Sequence, residues 1–377
     1  MSEFDIDGLR LDAADVLDFG FMQTLRRLAD EVKPDFWLMG EVIHGDYSRW
    51  VNASMLHSVT DYTLHKALYS GHNDHNYFEI AHTVNRIHDM GLNRPGVHKL
   101  YNFADNHDVE RIYTRLQEKA HFVPVHILLY TLGGIPSIYY GSEFGIEGRK
   151  ERGSDDSLRP ALSLEDYQDA LSENPYTRLI ASLGRLRQNV PALIDGDYRE
   201  LLLTTRQYVF SRTLDGCGVI VAVNNDSSPA ELHVPAKDGS YTGALSGQKL
   251  NAADSCLTFT IPGDSGEIWI PDGANKLTAE PALREIPKTP PQSRTQQPAP
   301  TEEKTAPAAE PRSAAEPARS AAPVSGSRSY EEMTVEELQS AILEKLAKNG
   351  PVTDRMRQDV AENIWRDSLL TWVRSFQ

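Results

Sequence analysis

The chain has 377 residues, 40% of them hydrophobic and 24% charged, with a formal net charge of −16. That is material for two or three domains. The acidic balance argues against nucleic acid or an anionic membrane as a partner, since both select basic surfaces. Two cysteines, Cys217 and Cys256, are too few for a disulfide framework, and no apolar run approaches the length of a membrane span. The first residues, MSEFDIDGLRLD, have neither a cationic start nor an apolar core, so no signal peptide is expected and a cytoplasmic setting is.

Five short apolar runs read as strands: IDGLRL (6–11), FWLMGEV (36–42), LHSV (56–59), HKLYNF (98–103) and PSIYY (136–140). In the first, period-two alternation sets Leu9 and Leu11 on an apolar face and Gly8, Arg10 and Asp12 on the other. Helical spacing recurs between the runs, at Phe21, Leu25, Leu28 and Val32 and again at Ile80, Val84, Ile87 and Met90. VPVHILLYTL (123–132) is apolar all round and predicts a buried helix. Strand and helix in alternation predict an α/β domain over 1–195, with a parallel sheet covered by helices.

From 196 to 272 the texture becomes short β-rich runs, YVFSRTL, VIVAVNN and EIWIP, parted by turn signals such as Asp215-Gly216 and Asp238-Gly239. An antiparallel domain is expected there. Residues 273–328 hold ten of the chain's 22 prolines and no aromatic residue, which predicts a disordered Pro/Ala-rich linker. Apolar periodicity returns in 329–377. Thr334 and Glu337 form a capping-box signature, followed by the stripe Val335, Leu338, Ile342 and Leu346. Gly350-Pro351 ends that helix, and Met356, Val360, Ile364, Leu369, Trp372, Val373 and Phe376 continue the apolar pattern. The expectation is a small helical module, folded alone or serving for docking or self-association.

Chemistry gathers at three expected strand ends. Arg10 beside Asp12 keeps a carboxylate ionised and oriented, which suits a nucleophile, although a structural ion pair is the commoner reason for such neighbours. Glu41 follows the apolar run Phe36–Met39; an acid buried alone there would have the raised pKa that a general acid needs, unless it simply reaches solvent. Asn106, His107 and Asp108 close the run HKLYNF, at the end of a parallel strand where barrel enzymes place their sites. Three acids at three strand ends fit glycoside hydrolysis. His44, His57 and His65 form no recognised ligand pattern and are expected at the surface or in a sugar subsite; no metal or cofactor is expected.

DGLRLDAAD (7–15), GEV (40–42), FADNHD (103–108), PSIYYGSE (136–143) and GSDDSLRP (153–160) together resemble segments of the α-amylase family, glycoside hydrolase family 13, in the family's order. The resemblance spans residues 1 to about 271. It implies the later part of a TIM (β/α)8 barrel, strands four to eight, followed by an antiparallel β-sandwich. It implies Asp12 as nucleophile, Glu41 as acid/base and Asp108 as the acid that stabilises the transition state. Arg10 would fix the nucleophile, His107 would hydrogen-bond the sugar, and Asp155 with Arg159 would contact donor-side glucose units. The implied activity is retaining hydrolysis of α-glucosidic bonds in malto-oligosaccharides or starch-like glucans. A transglycosidase, or a non-catalytic carbohydrate-binding remnant, is the alternative. Ala13-Ala14-Asp15-Val16 stands where some members carry Lys-His, so the family's acceptor contact does not carry over, and Asp15 is expected to face either that subsite or, as the commoner case, a helix N-terminus. Strands one to three have no counterpart here, and five strands cannot close an eight-stranded barrel. The expectation is a fragment of a longer protein or a chain that needs a partner.

Overall fold

The structure is a computed structural model and describes residues 4–273, 330, 333–349 and 360. It divides into two units, residues 1–291 and 292–377. The first unit opens with β1 (Gly8–Leu11), α1 (Phe19–Val32), β2 (Trp37–Gly40) and β3 (Ser58–Val59). There follow α2 (Tyr62–Asn73), α3 (Tyr77–Asp89), β4 (Tyr101–Phe103), α4 (Ile112–Arg115), α5 (Phe122–Thr131) and β5 (Ile135–Ser137). β1, β2 and β3 pair in parallel, a parallel bridge joins Thr60 to Tyr101, and β4 pairs in parallel with β5. Five parallel strands therefore succeed one another in chain order. Each is shorter than its apolar run, and β5 begins one residue before its run.

Two details fix how β1 and β2 end. Leu11 lies opposite Gly40, so the next residues, Asp12 and Glu41, emerge side by side. A side chain at Gly40 would put its Cβ 2.6 Å from Leu56 and 2.7 Å from Ala14. Glycine is required by that close approach.

α1 departs from its expected packing. Asp18 caps it by accepting from the Phe21 amide at 2.9 Å, and Met22 and Ala29 are its buried side chains. Phe21, Leu28 and Val32, three residues of the expected core stripe, are about half exposed. Of the apolar face of β1, Leu11 is buried and Leu9 is exposed. By contrast α5 meets the expectation. Its apolar residues are buried around most of the circumference, and it joins α2, α3 and the second domain in one core.

After α6 (Ala170–Glu173), α7 (Pro175–Asn189) and α8 (Pro191–Asp195) come eight strands. They are β6 (Asp197–Leu203), β7 (Gln207–Leu214), β8 (Cys217–Asn224), β9 (Ala230–Pro235), β10 (Gly239–Gly243), β11 (Lys249–Ala252), β12 (Cys256–Ile261) and β13 (Ser265–Pro271). Six form an antiparallel sheet in the order β11-β10-β13-β8-β7-β6. The antiparallel pair β12-β9 packs on it, and Val209, Ile220 and Trp269 share a core with Leu232, Val234, Leu257 and Phe259. This is a small β-sandwich. Asp215 and Gly216 both have positive φ and join β7 to β8 as a two-residue hairpin turn.

In the second unit α9 (Val335–Asn349) carries the expected capping box: the Thr334 amide donates to Glu337 at 2.7 Å and the Glu337 amide to Thr334 Oγ1 at 3.3 Å. Leu338 and Ile342 pack with Val360. Beyond Gly273 the expected linker lies outside the described residues, as does the second expected helix apart from Val360.

Candidate active site

The ends of β1 and β2 are tied together by backbone. The Glu41 amide donates to the Leu11 carbonyl and the Ala14 amide to the Glu41 carbonyl, each at 2.8 Å. Between them Ala13 takes a left-handed conformation (φ 44°), which an L-residue adopts at a cost and which turns the chain sharply after Asp12. Arg10 then reaches both acids, with Nη1 3.5 Å from Asp12 Oδ1 and Nη2 2.5 Å from Glu41 Oε2. Glu41 is buried as expected, but it is not alone. Arg10 takes one carboxylate oxygen, and the Tyr62 hydroxyl donates to the other at 2.8 Å. A cation and a phenol supply the partners that a buried carboxylate must have.

The loop after β4 supplies the second half. Asn106 Oδ1 accepts from the amides of Asp108 and Val109, at 2.9 and 3.2 Å, and this turn presents His107 and Asp108. His107 Nε2 lies 3.0 Å from Asp108 Oδ2, and Arg159 Nη2 lies 2.9 Å from Asp108 Oδ1. Arg159 also donates from Nε to the His107 carbonyl at 3.0 Å and sits 3.4 Å from Asp155. Lys150 bonds the Asp108 carbonyl at 2.9 Å and approaches Asp155 at 3.8 Å. The seven expected residues thus fall into two ion-paired groups, Arg10/Asp12/Glu41 and His107/Asp108/Asp155/Arg159. Two side chains link them: the Tyr62 hydroxyl, which bonds Glu41, also accepts at 3.1 Å from Nδ2 of Asn106, whose Oδ1 holds the Asp108 amide.

Beneath this surface lies a buried polar knot that the sequence did not reveal. Ser142 Oγ donates to Asp105 at 2.7 Å and accepts from Arg111 Nη1 at 3.1 Å. The same guanidinium donates to the carbonyls of Tyr140 and Leu158, both at 2.7 Å, and lies over the Tyr139 ring. Arg111 therefore stitches the FADNHD loop to the two later segments. Burial pushes the Asp105 carboxyl up to about 6. No spacing around Arg111 marks it as a buried anchor; only the fold brings its three acceptors together.

Other expectations are corrected here. His65 is buried, stacked on Phe103 and bonded through Nδ1 to the Ala104 carbonyl at 2.8 Å, so it is a packing residue that burial holds down at about 4. His57 is partly buried and accepts the Leu38 amide; His44 is exposed. Asp15 does lie at a helix N-terminus, in the first turn of the short 3-10 helix Ala14–Val16, while Asp18 caps α1. Among the described residues no group of three or more His, Cys, Asp or Glu is arranged to hold a metal ion, and no helix is long and apolar enough to cross a membrane.

Residues 1–178 match the family model for the alpha amylase catalytic domain, and residues 196–269 match that for the alpha-amylase C-terminal domain. The chain belongs to the α-amylase family. Neopullulanase 2 of Thermoactinomyces vulgaris is 29% identical over 272 residues, which cover 69% of this chain and 44% of that one. Intracellular maltogenic amylase of Bacillus subtilis is 32% identical over 224 residues, 56% of this chain and 36% of that one. An α-amylase structure from Malbranchea cinnamomea shares the fold with a TM-score of 0.63 at 22% identity, covering 74% of this chain and 58% of that one. The chain spans less than half the length of these curated α-amylase relatives.

Proposed function

We propose that this chain carries the catalytic face of a retaining α-glycosidase acting on malto-oligosaccharides or starch-like α-glucans. The observation that carries the reading is the single guanidinium of Arg10 shared by Asp12 and Glu41, which leave adjacent parallel strands in register. A retaining pair works at a carboxyl separation of about 5–5.5 Å. A shared cation is what allows two acids to stand near one another without mutual repulsion.

In this reading Asp12 attacks the anomeric carbon, and Glu41 gives its proton to the departing glycosidic oxygen. Glu41 then takes a proton from the water that hydrolyses the glycosyl-enzyme. Two inversions leave the anomeric configuration retained. Asp108, oriented by Arg159 and His107, faces the ring hydroxyls and favours the oxocarbenium-like transition state. Asp155 and Arg159 lie on the donor side. No cofactor or metal enters the chemistry. Transfer to a second sugar in place of water uses the same residues. The relatives' names, which include neopullulanase and maltogenic amylase, support α-glucans as substrates. The free thiols of Cys217 and Cys256 support a reducing, cytosolic setting.

The five parallel strands correspond, on this proposal, to strands four to eight of the family barrel. The unpaired outer edge of β1 and the outward apolar stripe of α1 are where the other three βα units would pack. The same observation favours a second reading for the isolated chain. The Asp12 side chain is 86% exposed, where a retaining nucleophile works enclosed against the substrate, and the second reading is a chain that binds glucans without cleaving them.

Release of reducing sugar from maltotriose by the folded chain, set against Asp12→Asn, tests the proposal. The hydrolase reading expects loss of at least about a thousandfold in the variant. Equal silence of both proteins, with circular dichroism showing each folded, leaves the binding reading.

A further inference from the structure

Tyr62 opens α2 directly after Asp61, the residue that caps the helix. Its ring stands edge-on to Phe103, with centroids 4.9 Å apart, and edge-on to His65 at 6.2 Å. Packing therefore fixes the ring, and the ring fixes the hydroxyl. That hydroxyl donates to Glu41 Oε1 at 2.8 Å and accepts from Asn106 Nδ2 at 3.1 Å. Burial raises the phenol above its ordinary value, so the hydroxyl keeps its proton and donates at neutral pH. With Oε2 of Glu41 engaged by Arg10, both carboxyl oxygens have assigned partners on opposite sides.

The geometry points to Tyr62 as a positioning residue that clasps Glu41 and ties it, through Asn106, to the loop bearing His107 and Asp108. The proposal rests on Glu41 being the acid/base. A proton donor works only when its oxygen lies in line with the leaving oxygen, and a carboxyl free to rotate spends much of its time elsewhere. Tyr62 removes that freedom. It also couples two segments far apart in sequence, so that Glu41 and Asp108 move as one.

The test compares Tyr62→Phe with the wild-type full chain, since phenylalanine keeps the ring packing and loses only the hydroxyl. The substrates are maltotriose, whose leaving oxygen needs a proton, and α-maltosyl fluoride, whose fluoride leaves without one. The expected result is a drop of about tenfold or more in kcat/KM for maltotriose, carried by kcat, with fluoride release within about threefold of wild type. Equal losses on both substrates, or no loss on maltotriose, overturn the proposal.

A second measurement needs no activity. Urea unfolding of wild type, Tyr62→Phe, Glu41→Ala and the double variant forms a cycle. A clasp predicts that the double variant loses about five- to tenfold less in folding equilibrium than the product of the single losses. Independent effects overturn the clasp. Coupling in a wild-type chain that cleaves neither substrate counts against the hydrolase reading and keeps the clasp.

Discussion

Asp61 shows how burial alone can give one acid a measurable signature. It is fully buried, accepts the Leu64 amide at 2.9 Å and the Thr63 hydroxyl at 2.8 Å through Oδ1, and has no hydrogen-bond partner at Oδ2. Burial pushes its carboxyl up to about 6 from 3.8. The folded chain therefore holds this proton where the unfolded chain has released it, and stability falls as pH rises from about 4 to 6. Asn at this position keeps the cap acceptor and cannot ionise. Asp61→Asn should be about 1–3 kcal/mol more stable than wild type at pH 7.5 and no more stable at pH 4, read from urea midpoints at the two values. Arg111 is the opposite case, a buried cation whose two terminal nitrogens donate to Tyr140, Ser142 and Leu158. Arg111→Met strips donors from the buried Leu158 carbonyl and Ser142 hydroxyl and from the part-buried Tyr140 carbonyl, and should cost about 3–5 kcal/mol in urea unfolding. Lysine, a single point of charge, should recover only part of the loss.

At the scale of elements, α1 states what surrounds it. Its hydrophobic content is distributed on two faces: Met22 and Ala29 pack inward, while Phe21, Leu28 and Val32 face solvent. The regular spacing Phe21, Leu25, Leu28 and Val32 mixes the two: Leu25 packs against the core and the other three face solvent, because a helix with two apolar faces offers more than one regular stripe. Nothing in the spacing says which one meets the sheet. An exposed apolar patch of this kind is an association site. Replacing Phe21, Leu28 and Val32 together with Ser, Gln and Thr should reduce self-association in light scattering while leaving Tm within a few degrees. Met22→Ala should instead cost about 2–4 kcal/mol, as a core truncation does.

At the scale of the whole first unit, the parallel domain and the β-sandwich share a core, with Val125, Leu128 and Leu129 of α5 grouped with Val221 of β8 and Ile268 of β13. A group of histidines lies at their junction. His72 and His75 approach His121, whose Nε2 is 3.2 Å from Asp264, and His75 bonds the Asn225 carbonyl at 2.7 Å. Burial holds His72 down at about 3 and His65, His88 and His126 at about 4. These four stay neutral in the folded chain at pH 5 but bind protons when it unfolds, which makes stability rise with pH between about 4 and 6.5. Asp61 and Asp105 act in the opposite sense over the same window. Four groups against two leave a net rise. Urea midpoints should climb by several tenths molar from pH 4.5 to 6.5, and the climb should be shallower in His72→Gln. A flat profile would show that the histidines are protonated in the folded state.

Much of this protein is written in short range. Arg10 and Asp12 are two residues apart, His107 and Asp108 adjacent, and Asp155 and Arg159 one helical turn apart, so their pairing follows from local geometry and can be read from the sequence. The hairpin at Asp215-Gly216 and the capping box at Thr334 and Glu337 are local for the same reason. What the sequence could not supply is every contact made across strands. Glu41 read as an acid without a partner because Arg10 lies 31 positions away and Tyr62 lies 21, and only the parallel register brings them to one carboxylate. Arg111 had no visible role until three segments closed around it. Residue chemistry and local spacing determined which groups this protein carries. Tertiary structure decided which of them meet, since hydrogen bonds and ion pairs act over a few ångströms and distance along the chain does not measure distance in space.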